Sequence, residues 1–152
     1  DLFSGSGAVG LEALSRGASS CWFVEEDKRA QKVIKKNVQK MQQRCRSQDI
    51  SAPQVCLLGE TVEAGLRRLL TQKITGDIVW ADPPYKNTKD WLKTSQETLT
   101  RLTHSQGFFI LETAKDLVDE LVMDSRFWSL IKTRDYSQTS LMVWQKKETG
   151  DE

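Results

Sequence analysis

An α/β fold, Rossmann-like with a mostly parallel sheet, is what this sequence of 152 residues predicts. Three observations carry that reading. Short apolar runs suited to buried strands alternate with amphipathic segments, the pattern of a sheet covered by helices on both faces. A glycine-rich turn, Ser4-Gly5-Ser6-Gly7-Ala8-Val9-Gly10, follows the first apolar residues. A later apolar run, Asp77 to Ala81, stops abruptly at Asp82-Pro83-Pro84-Tyr85. In such sheets ligands bind beyond the carboxyl ends of the strands. Every motif falls at such an end, so one shared crevice is expected.

The elements follow in order. Leu2-Phe3 reads as the end of a strand, with little before it. A parallel central strand normally carries several apolar residues ahead of such a turn. The chain is therefore read as an N-terminally truncated fragment, residues 1–146 being one domain and residues 147–152 a polar tail, frayed from Lys146 on. Residues 8–15 predict a helix, with Gly17 as its stop. Residues 21–24 are a short buried strand. Residues 28–43 predict a long helix with Ala30, Val33, Ile34, Val38 and Met41 on one face, and residues 44–53 a polar loop. A strand at 55–58, a helix at 61–70 and a strand at 77–81 come next. Two prolines cannot continue a central strand, so the chain leaves the sheet at Pro83. Helix 89–103, strand 107–112, helix 114–123 and a hairpin-like pair of strands at 127–133 and 140–145 complete the pattern.

Composition bounds the rest. One domain of this length buries about 70% of its unfolded surface. With 38% hydrophobic and 28% charged residues, it reads as globular rather than disordered. The apolar runs are too short to cross a bilayer, and no membrane association is expected. Lysine and arginine number 22 against 21 acids, so net charge does not by itself announce a nucleic-acid partner. The basic residues from Lys28 to Arg46 read as a solvated helix face. Cys21, Cys45 and Cys56 match no zinc spacing, and His104 is the only histidine, so no metal is expected. Reduced thiols fit a cytosol-like compartment.

Glycines at 5, 7 and 10 satisfy a dinucleotide-binding spacing, and Glu25 follows at the distance where such folds hold a ribose. A nicotinamide-binding module is thus a legitimate rival. Asp1 argues against it, because a carboxylate before the turn repels a pyrophosphate. It suits the ammonium end of S-adenosyl-L-methionine, whose ribose would meet Glu25. Asp27 reads as the cap of the following helix.

The second motif concerns the acceptor. The exocyclic amine of a nucleobase is a poor nucleophile, its lone pair delocalised into the ring. A catalyst must hold it in line with a methyl group and accept hydrogen bonds from its N–H groups. Asp82 offers a carboxylate, Pro83 a carbonyl freed from the sheet, and Tyr85 a flat face for stacking. The bland reading is a strand-ending turn.

Residues 1–18, Phe23-Val24-Glu25 and Asp82-Pro83-Pro84-Tyr85 resemble the RsmD-type small-subunit ribosomal RNA guanine-N2 methyltransferases. The resemblance extends in order and spacing over nearly the whole chain, including Phe109-Ile110-Leu111-Glu112 and residues 136–144. It implies a class I S-adenosylmethionine-dependent fold of seven strands with the last antiparallel. It also implies methylation of guanine N2 in ribosomal RNA, within the small-subunit particle. A monomer in the cytoplasm, or in an organelle stroma of a eukaryotic host, is expected. The catalytic set is Asp82, Pro83, Pro84 and Tyr85. The donor-binding set is Asp1, Phe3, Ser4, Gly5, Ser6, Gly7, Gly10, Glu25, Glu26, Gly59, Glu60 and Asp82. The chain departs from the family where an Asp or Asn usually follows the third strand; Glu60, or the backbone at Gly59, stands in.

Two rivals remain at this level. A DNA or other RNA amino-methyltransferase (adenine N6, cytosine N4) would use the same Asp-Pro-Pro-Tyr loop, although this chain has no room for a separate target-recognition domain. A non-catalytic cofactor module would be indifferent to loss of Asp82. Trp91 reads as core, with the base pocket as its alternative. Lys86 and Asn87 are candidates for phosphate contact. His104 reads as a cap or surface residue.

Overall fold

A computed structural model describes residues 1–148. Residues 149–152 of the expected tail lie outside the described residues. The chain forms two compact units, residues 1–65 and residues 66–152.

In the first unit, Leu2 makes an isolated parallel bridge to Val24. Helix α1 (Ala8–Ser15), strand β1 (Ser20–Val24), helix α2 (Lys28–Ser47) and strand β2 (Gln54–Leu58) follow. The two strands are parallel, in register from Ser20 opposite Gln54 to Val24 opposite Leu58. Phe23, Ile34 and Leu14 form the buried core, with Leu11, Val38 and Met41 packed on it. Asp27 caps α2, its carboxylate accepting from the N–H groups of Arg29 and Ala30 at 2.8 Å each. The helix continues four residues beyond the expected Gln43. Arg44 and Arg46 are good helix formers, and partly buried Cys45 extends the apolar stripe one turn past Met41.

Helix α3 (Val62–Thr71) carries the chain into the second unit. That unit contains β3 (Gly76–Ala81), a 3-10 turn at Tyr85–Asn87, α4 (Thr88–Leu102), β4 (Thr103–Ala114), a 3-10 turn at Lys115–Glu120, β5 (Trp128–Asp135) and β6 (Thr139–Lys146). The strand order is β3-β4-β6-β5. Strands β3 and β4 are parallel, while β6 runs antiparallel to both its neighbours. Edge strand β5 carries a register shift between Leu130 and Lys132. Phe109 is fully buried at the centre, near Trp91, stacked on Trp144 and edge-on to Trp128.

The described residues form six strands rather than seven, because Leu2 contributes a bridge and not a strand. The helix expected at 114–123 is a six-residue 3-10 turn followed by extended chain. Leu121 and Met123 are buried while Val122 is 70% exposed, so the apolar run there follows a two-residue period. Strand β4 begins at Thr103, earlier than expected. Lys146, assigned to the frayed tail, ends β6 instead. Its Nζ donates to the carbonyls of Thr100 and Thr103 at 2.7 and 2.8 Å, which closes the end of α4.

Candidate functional site

The glycine-rich turn is built on reversed backbone. Phe3, Gly5 and Gly7 have φ of 58°, 52° and 76°. Ser4 is buried and ties the turn to the end of β1. Its Oγ donates to the Asp1 carbonyl at 2.6 Å and accepts from the Val24 N–H at 3.0 Å. The three glycines serve different ends. A Cβ at Gly5 would meet nothing within 4 Å, so this position faces open space. At Gly7 it would meet Ile34 and Phe23 at 3.2 Å, and at Gly10 it would collide with the Phe23 ring and come within 2.6 Å of Cys21 Sγ. Gly10 therefore lets α1 lie close on β1, while Gly5 leaves room for a ligand. Ser6 is exposed, and its carbonyl accepts from Asn37.

Glu25 extends from the end of β1 back over the turn. One carboxylate oxygen accepts from the Gly5 N–H at 2.7 Å and the other from the Asp27 N–H at 2.8 Å. Asp1 Oδ2 accepts from the Gly10 N–H at 3.0 Å, in the first turn of α1. That contact bears on the choice of ligand. A helix N-terminus behind a glycine turn normally attracts a pyrophosphate. Here the chain's own carboxylate takes that place, and Glu25 and Glu26 add further acid. The set fits a ligand with a cationic end and hydroxyl donors, such as S-adenosylmethionine, and repels a dinucleotide.

One contributor escaped the sequence. Gln31, buried on α2, donates from Nε2 to the carbonyls of Glu25 at 2.9 Å and Glu26 at 3.1 Å. Its Oε1 would lie 2.9 Å from a Cβ at Gly59. It thereby links the turn after β1 to the turn after β2, where Glu60 is half-buried. A lone glutamine on a helix stripe otherwise occupied by Ile34 and Val38 was the available signal.

In the second unit β3 ends at fully buried Ala81, and the chain turns out at Asp82. Pro83 is fully buried and anchors the loop, while Asp82, Pro84 and Tyr85 are exposed. The Pro84 carbonyl accepts from the Asn87 N–H at 2.9 Å, so the 3-10 turn braces the loop. Among the described residues no hydrogen bond engages the Asp82 carboxylate or the Pro83 carbonyl. Both remain available as acceptors. Surrounding protein pushes the Asp82 carboxyl above its ordinary range through lost hydration. The Tyr85 phenol is pushed up by the same loss, then by the charges of Glu112 and Asp82. Trp91 lies in the aromatic core. His104 bonds to Thr75 and Asp77 at the opposite end of β3 from the loop. Among the described residues, no group of three or more His, Cys, Asp or Glu is placed to hold a metal ion, and no helix is long and apolar enough to cross a membrane.

The family model described as Conserved hypothetical protein 95 matches residues 1–145. The chain belongs to that family. This is the RsmD-type family its motifs resemble. Ribosomal RNA small subunit methyltransferase D of Haemophilus influenzae is 27% identical over 150 residues, covering 95% of this chain and 69% of that protein. Among solved structures, a conserved hypothetical protein of Streptococcus pyogenes is 27% identical with a TM-score of 0.75, covering 97% of this chain and 84% of that one. A ribosomal protein L11 methylase of Lactobacillus delbrueckii subsp. bulgaricus matches at a TM-score of 0.70 with 12% identity, over 97% of this chain and 69% of its own, a likeness of fold alone. The family's fold in this chain is thus the α/β fold of class I methyltransferases.

Proposed function

We propose that the protein transfers a methyl group from S-adenosylmethionine to the exocyclic N2 of a guanine in small-subunit ribosomal RNA. The observation that carries this is the pair of unengaged acceptors, Asp82 and the Pro83 carbonyl, held by a proline-stiffened loop at the end of β3. In this reading the domain is residues 1–146, and Leu2 belongs to a further, seventh strand of the fold. Glu25 receives the ribose hydroxyls, Asp1 the ammonium, and Gly5 admits the ligand against the backbone. Gly59, Glu60 and Glu26 border the adenosine, with Phe3, Ser4, Ser6, Gly7 and Gly10 shaping the turn.

When bound, S-adenosylmethionine supplies an electrophilic methyl on a sulfonium; as the nitrogen–carbon bond forms, the carbon–sulfur bond breaks and sulfur keeps the electron pair. Asp82 accepts one N–H of the amine and the Pro83 carbonyl the other. That hold lets the nitrogen become tetrahedral and aims its lone pair. The proton released from the methylated nitrogen passes to Asp82 and then to solvent. Tyr85 stacks on the unstacked base. Because net charge is only +1, the small-subunit particle supplies much of the RNA affinity. The protein works as a monomer in the cytoplasm, or in an organelle stroma of a eukaryotic host.

The test is transfer of labelled methyl to small-subunit particles lacking the modification, with DNA as competitor. N2-methylguanine is expected in the digested RNA, and Asp82→Ala abolishes it while donor binding persists. Label in DNA, or in adenine or cytosine, overturns the reading.

A further inference from the structure

Asp82 has a second acid beside it. Strands β3 and β4 are parallel with Ala81 opposite Leu111, so Asp82, the first residue past the end of β3, follows beside Glu112 of β4. Side chains alternate along a strand, which sets Glu112 on the face opposite buried Leu111. Glu112 is half-buried. Among the described residues no donor or cation meets its carboxylate. Lost hydration and then the charge of Asp82 push its carboxyl up, and its own charge reaches the Tyr85 phenol. Beyond Tyr85 a groove of about 500 Å³ opens along the end of β4, lined by Ala114, Lys115, Asp116 and Gln138. Two uncompensated acids side by side destabilise a fold, and such pairs concentrate where chemistry is done.

The chemistry of the base gives the second acid a purpose. In guanine the N2 amine adjoins N1, which carries hydrogen, so the edge presents donors side by side. In adenine and cytosine the ring nitrogen next to the amine is an acceptor. An acid next to the amine holder attracts the first arrangement and repels the second. We propose that Glu112 is a specificity-determining residue that accepts the N1–H of guanine while Asp82 holds the N2 amine. This rests on the guanine-N2 reading above and names how that site excludes other amino bases.

The experiment uses RNA in which the methylated guanine, once mapped by mass spectrometry, is replaced by 2,6-diaminopurine. This base keeps the N2 amine and turns N1 into an acceptor. The unmodified protein is expected to favour guanine in kcat/KM by about 10–100-fold, the usual discrimination of one base-edge hydrogen-bond pair. Glu112→Gln, whose amide donates as well as accepts, narrows that preference by roughly 10-fold or more. Glu112→Leu lowers the guanine rate and removes the preference. Melting curves on both variants report folding. A preference unchanged in both variants overturns the assignment of Glu112 and leaves guanine-N2 transfer standing. Absence of transfer to guanine by the unmodified protein overturns both.

Discussion

Gly5 and Gly10 sit five residues apart in one motif and should fail in opposite ways when given a methyl group. At Gly5 an alanine has open space but must hold φ near +52°. That conformation costs an L-residue about 1–2 kcal/mol. The added Cβ also occupies the face a ligand would approach. At Gly10 the backbone is helical, so alanine gains roughly 1 kcal/mol of helix propensity. Against this, its Cβ would lie 2.8 Å from Phe23 Cζ and 2.6 Å from Cys21 Sγ. Phe23 is fully buried in the core of the first unit and cannot swing aside. Overpacking of this kind costs about 1–3 kcal/mol. The net expectation for Gly10→Ala is a loss of up to about 2 kcal/mol, a fall in Tm of roughly 4–8 °C for a chain of this size. The assay pairs thermal melting with calorimetric titration of S-adenosylmethionine. Gly5→Ala should lose about tenfold or more in affinity, from backbone strain plus obstruction, with a Tm change set by the strain alone. Gly10→Ala should melt early and bind near normally well below its Tm. If Gly10→Ala melts with the unmodified protein, the close seating of α1 on Phe23 is wrong.

Other perturbations follow from the same geometry. Phe109→Ala removes the ring that three tryptophans surround, and should cost about 3–5 kcal/mol in denaturant titration; a loss below 1 kcal/mol would refute its central place. Gln31→Ala frees the Glu25 and Glu26 carbonyls and should lower both stability, by about 1–2 kcal/mol, and donor affinity in calorimetry; unchanged affinity would separate the turn from the ligand. The Asp82 carboxyl is raised by lost hydration, so transfer should fall as pH drops through a midpoint above the ordinary value of about 3.9, and a kcat/KM profile with no acid limb above that value would refute it. The same shift has a sign for stability. A raised folded-state pKa means the ionised form is disfavoured in the fold, and the stability present at low pH is lost as pH rises through that pKa. Asp82→Asn should therefore melt above the unmodified protein at neutral pH.

Much of the architecture was legible because period and punctuation agreed. The Asp27 cap, the Gly17 stop and the Pro83 exit each have a local cause, and the structure places elements at those points. Failures came where the cause was not local. The stretch 114–123 holds apolar residues compatible with either period, and only burial of Leu121 and Met123 decides between them. The Gly-x-Gly-x-x-Gly spacing does not reveal that Gly10 serves packing, since Phe23 and Cys21 meet it from thirteen and eleven residues away. Glu112 was visible only as part of a strand. Its nearness to Asp82 depends on the register between two parallel strands, which no single segment encodes. Gln31 bonds locally to the turn before its own helix, but its approach to Gly59 joins two turns distant in sequence, which no single segment encodes.

Strand β5 is the last of its sheet, and one side of its backbone has no neighbour within that sheet. Leu130 and Ile131 there are 52% and 50% exposed, the sort of pair on which a second chain can add a strand. The register shift falls at those residues, and Lys132 and Arg134 follow at once. A kink followed by positive charge spoils the flat, uncharged rail that intermolecular β-pairing requires. The edge thus guards against aggregation.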